Sequence, residues 1–230
     1  MTLGQAELRA LFRAIVAGDA AKASQLVKRS PRLVSEAARA GDRYVGAIGH
    51  YIYGGDTALH IAGAAYRADI AKTLVSSGAD VGARNRRGAE PLHYASDGHP
   101  GSDRWNPGAQ TATLEYLLRA GADPNAMDKS GVGPLHRAVR TRCAAAVSVL
   151  LAHGADPRLR NSSGSTPLHL AVQTTGRGGS GTASAKEQQE RIIRILLAHG
   201  ARPTDTDHRG KTVTESMRAR WVKELMEARR

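Results

Sequence analysis

The 230-residue chain is predicted to fold as an all-α solenoid, one elongated domain of stacked helix pairs, and three observations carry that prediction. A phrase ending in Leu-His recurs at Leu59-His60, Leu92-His93, Leu135-His136 and Leu168-His169, in steps of 33, 43 and 33 residues. A Gly-Ala pair recurs in phase at Gly78, Gly121, Gly154 and Gly200, and a base period of 33 with insertions of 10 and 13 fits every step. Third, one Phe and two Trp are too few for a conventional globular centre but suit the Ala- and Leu-rich core of a stack.

The elements follow in chain order. Glu7 to Val34 suits a helix pair around Gly18-Asp19, with Leu8, Leu11, Phe12, Ile15, Leu26 and Val27 on its apolar stripe. It lacks the Leu-His phrase and carries charge on its other face, so residues 1–34 are expected to cap the stack. Residues 35–55 form an insertion holding Tyr44, Tyr51 and Tyr53, half of the six tyrosines. Such residues either form a lid over the stack or serve as interface anchors. Four units then occupy 56–88, 89–131, 132–164 and 165–210. Pro at the first helical position costs nothing, because that N–H has no intrahelical partner, and Thr57 and Thr166 suit the N-cap. The apolar runs Ile70–Val75, Leu114–Leu118, Val147–Leu151 and Ile192–Leu197 make the second helices, each closed by a glycine. Residues 211–230 begin like another unit at Lys211-Thr212-Val213 and shorten into a C-terminal cap.

Residues 132–164 show the whole unit unbroken: Val132-Gly133-Pro134-Leu135-His136-Arg137-Ala138, then Val147 to Leu151, then Gly154-Ala155-Asp156-Pro157. These segments resemble the ankyrin repeat, a 33-residue β-turn and helix pair with a T-P-L-H-x-A phrase. Glu90 and Gly133 stand where that phrase has Thr, and Arg202 stands where the last Gly-Ala-Asp has Asp. The resemblance implies that His60, His93, His136 and His169 tie neighbouring turns together. It also implies a protein partner bound on the concave surface of turn tips and first helices. Carried over position by position, the tips are Tyr53, then Arg86 and Arg87, Lys129 and Ser130, Ser162 and Ser163, and His208 and Arg209. The exposed positions after the first helices are Ala64 and Ala65, Asp97 and Gly98, Arg140 and Thr141, and Gln173 and Thr174, while Arg84, Arg158 and Arg160 flank the tips.

Net charge is +12 and is spread along the chain rather than held in a tail. The middle of the expected concave face is basic, with Arg142 adding to the arginines above and only Asp97 and Asp128 offsetting them. Two readings of that stripe stay open. It is the docking face for an acidic protein segment, with arginines forking onto carboxylates, or a solvated face of a basic protein. The expected function is a protein–protein interaction scaffold. The alternative is binding of a polyanion, meaning nucleic acid or anionic lipid. No aromatic platform is interleaved with the arginines, so no motif supports nucleic-acid readout.

The insertions at 99–108 and 175–187 are expected on loops. Trp105 either anchors its loop or offers an aromatic anchor to a partner. Gly176 to Gly181 satisfies G-x-G-x-x-G, but a helix precedes it where a dinucleotide site needs a strand, so a flexible Gly/Ser linker is the better account. An anion held by Arg177 at the following helix start is the weaker alternative. No cofactor or metal is expected: one cysteine cannot build a common zinc site, and no metalloprotease-type histidine pair occurs. Catalysis has little footing beyond Asp97, His99 and Asp103 in one loop, so the chain is expected not to be an enzyme. The lone Cys143 excludes an intramolecular disulfide and suits a reducing cytoplasm. Charges at Glu7, Arg9 and Arg13 argue against a signal peptide or membrane span. A monomer is expected.

Overall fold

In the computed structural model, which describes residues 3–39, 43–98, 100, 105–173 and 182–227, helix pairs stack in chain order. Helices α1 (Leu3–Ala17) and α2 (Ala20–Arg29), with a 3-10 turn at Pro31–Val34, form the N-terminal pair. The first helices of the next four units are α3 (Ala58–Ala64), α5 (Pro91–Ser96), α7 (Pro134–Arg140) and α9 (Pro167–Ala171). Their second helices are α4 (Ala68–Ser76), α6 (Pro107–Arg119), α8 (Ala144–Ala152) and α10 (Ala183–Ala198). The chain ends with α11 (Val213–Ser216) and α12 (Arg220–Glu227). Contacts run α3–α5–α7–α9 in one row and α2–α4–α6–α8–α10 in the other. No unit encloses its own apolar face, and Leu59, Leu92, Leu135 and Leu168 are buried between rows along one continuous core.

The four histidines are the rungs of that stack. His60 Nδ1 accepts the Thr57 N–H (3.1 Å), which fixes the tautomer, so Nε2–H donates to the Ala89 carbonyl of the next unit (3.0 Å). The same pair of bonds joins His93 to Glu90 and Val132, His136 to Gly133 and Ser165, and His169 to Thr166 and Lys211. The hydroxyls of Thr57 and Thr166 also lie 3.0 and 2.9 Å from the histidine nitrogen. Burial depresses the pKa of His60 and His136, and brings that of His93 down to about 4. A protonated ring would turn Nδ1 into a donor facing a donor.

Turn tips are joined by main-chain bonds from Arg86 N to Gly54 O, Lys129 N to Arg87 O, Ser162 N to Ser130 O and His208 N to Ser163 O, all between 2.9 and 3.1 Å. The backbones approach so closely that a Cβ on Gly131 (φ +67°) would lie 2.6 Å from the Ser162 nitrogen.

Among the described residues, the departure from an all-α chain is an antiparallel hairpin of β1 (Arg43–Val45) and β2 (His50–Ile52) inside the Tyr-rich insertion. Two strands alone are marginal in water. This pair is held by Ile48, buried in its loop, and by Val45, Ile52 and Tyr53 packed against the core. The segment enters and leaves on bonds from Ala38 N to Asp56 O and from Gly55 N to Ala38 O, both 2.8 Å. Residues 101–104 and 174–181 lie outside the described residues, and with them Asp103, Thr174 and the Gly-x-Gly pattern; so does His99.

Candidate functional site

The hairpin leans over the first helices of the second and third units and partly covers an open cavity of about 520 Å³. That volume lies within the roughly 300–1,000 Å³ range of ligand pockets. His50 of β2 stacks on Tyr94 of α5, ring centroids 4.1 Å apart and planes 29° apart. Beneath it, the Tyr94 hydroxyl donates to Asp56 (2.8 and 2.9 Å) and Asn85 Nδ2 donates to the same carboxylate (2.8 Å). Burial, then the Asp56 charge, pushes the Tyr94 phenol far above its ordinary value, so it remains a donor.

The charged centre is Asp97, and here the sequence expectation needs correcting. Asp97 does not stand free on the face: its side chain is 10% exposed. Arg137 Nη1 lies 2.7 Å from its carboxylate, His50 Nε2 3.5 Å and Arg140 Nη2 3.5 Å. Burial alone would raise its pKa, but the Arg137 charge, the His50 hydrogen bond and the Arg140 charge outweigh that and hold it well below the usual carboxylate range. Arg137 also reaches Asp128 (3.2 Å), whose other oxygen accepts the Ser130 and Val132 N–H groups. Arg137 Nε is buried without a partner. Arg137, His50 and Tyr94 carry this centre, and none was among the expected site residues. An arginine in the variable place of Leu-His-x-Ala, flanked by buried neighbours, was the available signal.

Other expected residues divide clearly. Tyr53 is half-buried, with the Arg87 guanidinium 4.2 Å and that of Arg86 5.9 Å from its ring centroid. Arg87, Ser130 and Arg140 are exposed and line the cavity, and Lys129, Ser162, Ser163, Gln173, His208 and Arg209 are exposed outside it. Thr141 is half-buried, accepting the Gly98 N–H (3.1 Å) and donating to Arg137 O (2.9 Å). Trp105 is half-buried against the core and donates to Gln110 (3.0 Å). Ala64 is buried rather than exposed.

The basic stripe is also less free than the sequence suggests. Arg84 pairs with Glu90 (3.0 Å), Arg158 forks onto Asp205 (2.7 and 3.0 Å), and Arg160 donates to Thr206 O. Arg142 is half-buried and donates to Ala185 O (3.3 Å). Glu90 and Asp205 therefore join Asp97 and Asp128 as counter-charges.

Cys143 is buried, and burial pushes its thiol up to about 11, so it acts as core filler. Among the described residues no three His, Cys, Asp or Glu side chains are grouped to hold a metal, and no helix is long and apolar enough to cross a membrane.

Family models describe what these units are similar to. One for the ankyrin repeat matches residues 54–86, and one for ankyrin repeats in three copies matches 106–207. A comparison with curated proteins gives no match.

Proposed function

The chain belongs to the ankyrin-repeat family, whose members are generally protein-interaction modules, and on that premise we propose that it is a non-enzymatic scaffold gripping a partner protein on its concave face. One observation carries the reading. Exposed side chains at successive tips (Arg87, Lys129 and Ser130, Ser162 and Ser163, His208 and Arg209) are held in one row by main-chain bonds between tips. A preformed row loses little ordering entropy on association. A protein partner suits this row better than a polyanion, because Glu90 and Asp205 offset the charges of Arg84 and Arg158 beside it.

Photo-crosslinking tests it. A crosslinker at Ser130 or Ser163 should capture the partner from native lysate after nuclease treatment. The same group at Lys72 or Ala152, exposed on second helices, should not. Capture only from the second-helix side would refute the concave face. Capture abolished by nuclease, with affinity falling steeply in salt, would favour a polyanion.

A further inference from the structure

The roofed cavity has a charge balance of its own. Three arginines line it (Arg87, Arg137 and Arg140) against two aspartates, Asp97 and Asp128. Asp56 lies one layer deeper and is saturated by Tyr94 and Asn85. Arg137 gives Nη1 to Asp97 and Nη2 to Asp128, and its remaining Nε is buried away from the opening. Arg140 is less engaged. Its side chain is 61% exposed and its contact with Asp97 is 3.5 Å, at the outer limit of a hydrogen bond. Asp97 keeps Arg137 and His50 if Arg140 turns away. The Arg87 guanidinium lies over the face of Tyr53, and among the described residues no acceptor pairs with its N–H edge.

From these observations we infer that the cavity between the hairpin and repeats two and three is a subsite for a single carboxylate, the Asp or Glu side chain of a partner's peptide segment, gripped by Arg140 and Arg87. The inference rests on the concave-face reading and deepens it. The lining's three arginines outnumber its two aspartates, so a carboxylate entering it meets a net positive charge. A phosphomonoester, at about −1.5 to −2, would meet stronger repulsion from Asp97 and Asp128 than a carboxylate does. Beside the partial cover of His50 and Tyr53, the fork of a guanidinium on a carboxylate supplies direction as well as charge. The rest of the 520 Å³ takes the residues beside the acid.

The test pans a library of random heptapeptides on the full chain. Winners are then measured by calorimetry as synthetic peptides in three versions, bearing Glu, Gln or phosphoserine at the acidic position. Enriched peptides should carry Asp or Glu, and Gln in its place should weaken binding roughly tenfold or more. R140Q and R87Q should each cause a comparable loss, and R194Q on the exposed side of α10 none. No enrichment, enrichment without acidic residues, or unchanged binding to R140Q would overturn the subsite. So would tighter binding of the phosphoserine version. Peptides indifferent to R140Q but lost on Ser163→Arg would overturn the subsite while leaving the concave-face reading intact.

Discussion

The two ends of the concave face share one repeated rung and treat charge in opposite ways. Over repeats two and three, the hairpin covers the first helices, and Asp97, Arg137 and Asp128 form a buried network with side chains about a tenth exposed. Beyond them, at Ser162, Ser163, His208 and Arg209, the tips face solvent, and the nearest ion pair, Arg158 with Asp205, leaves its arginine 41% exposed. Identical backbone geometry thus supports a partly covered pocket over a buried network at one end and an open row at the other. What separates them is ten residues of β-prone sequence from Arg43 to Ile52.

The sharpest way to break the contrast is Arg137→Met. It leaves two buried carboxylates without their shared cation and should cost about 3–5 kcal/mol, read as a drop in the denaturation midpoint at constant slope. Arg158→Met, at the open end, should shift the midpoint barely at all, because its pair is exposed and screened. Equal losses from the two variants would mean that the hairpin does not dry the network.

Acid should act on the rungs that both ends share. His93 titrates near 4 in the fold, and His60 and His136 are also held below the ordinary 6.5. Between those values the unfolded chain binds more protons than the folded one, so stability is complete above about pH 6.5 and falls as pH drops toward 4. His93 alone accounts for up to about 3 kcal/mol of that loss. Denaturation midpoints at pH 7.5, 6 and 5 check it. A midpoint that rose on acidification would show that the rings are not neutral donors to the next turn.

Much of the scaffold was legible in the sequence, because periodicity reports burial directly. The Leu-His and Gly-Ala phrases located the first helices of the four central units and their glycine-closed second helices, and the resemblance to the ankyrin repeat implied the histidine rungs. The site was legible only in part. Tyr53, Arg87 and Arg140 could be placed by register, since tip positions repeat. The network could not: Asp97 and Arg137 stand 40 residues apart, and no local pattern says that they meet. The hairpin had left a signal in Tyr44-Val45 and Tyr51-Ile52 around a four-residue loop containing glycine. Burial of Asp97 followed from the roof, so missing the hairpin meant mistaking a buried anchor for an exposed contact.

The smallest effect concerns the join between roof and tip row. Tyr53→Leu removes the ring beneath Arg87 while leaving apolar bulk for the core, so it should cost about 0.5–1 kcal/mol, the range of an exposed cation–π contact. Ser163→Ala, a comparable change on the open row, should stay within about 0.5 kcal/mol of the parent. A double-mutant cycle pairing Tyr53→Leu with Arg87→Met isolates the contact, because each single change removes the same interaction. Coupling near the expected value, with faster amide exchange confined to residues 50–53, would show that the tyrosine positions Arg87 at the cavity mouth. Zero coupling would leave Arg87 as solvent-exposed as Arg209, and the two ends of the face would then differ only in the buried network.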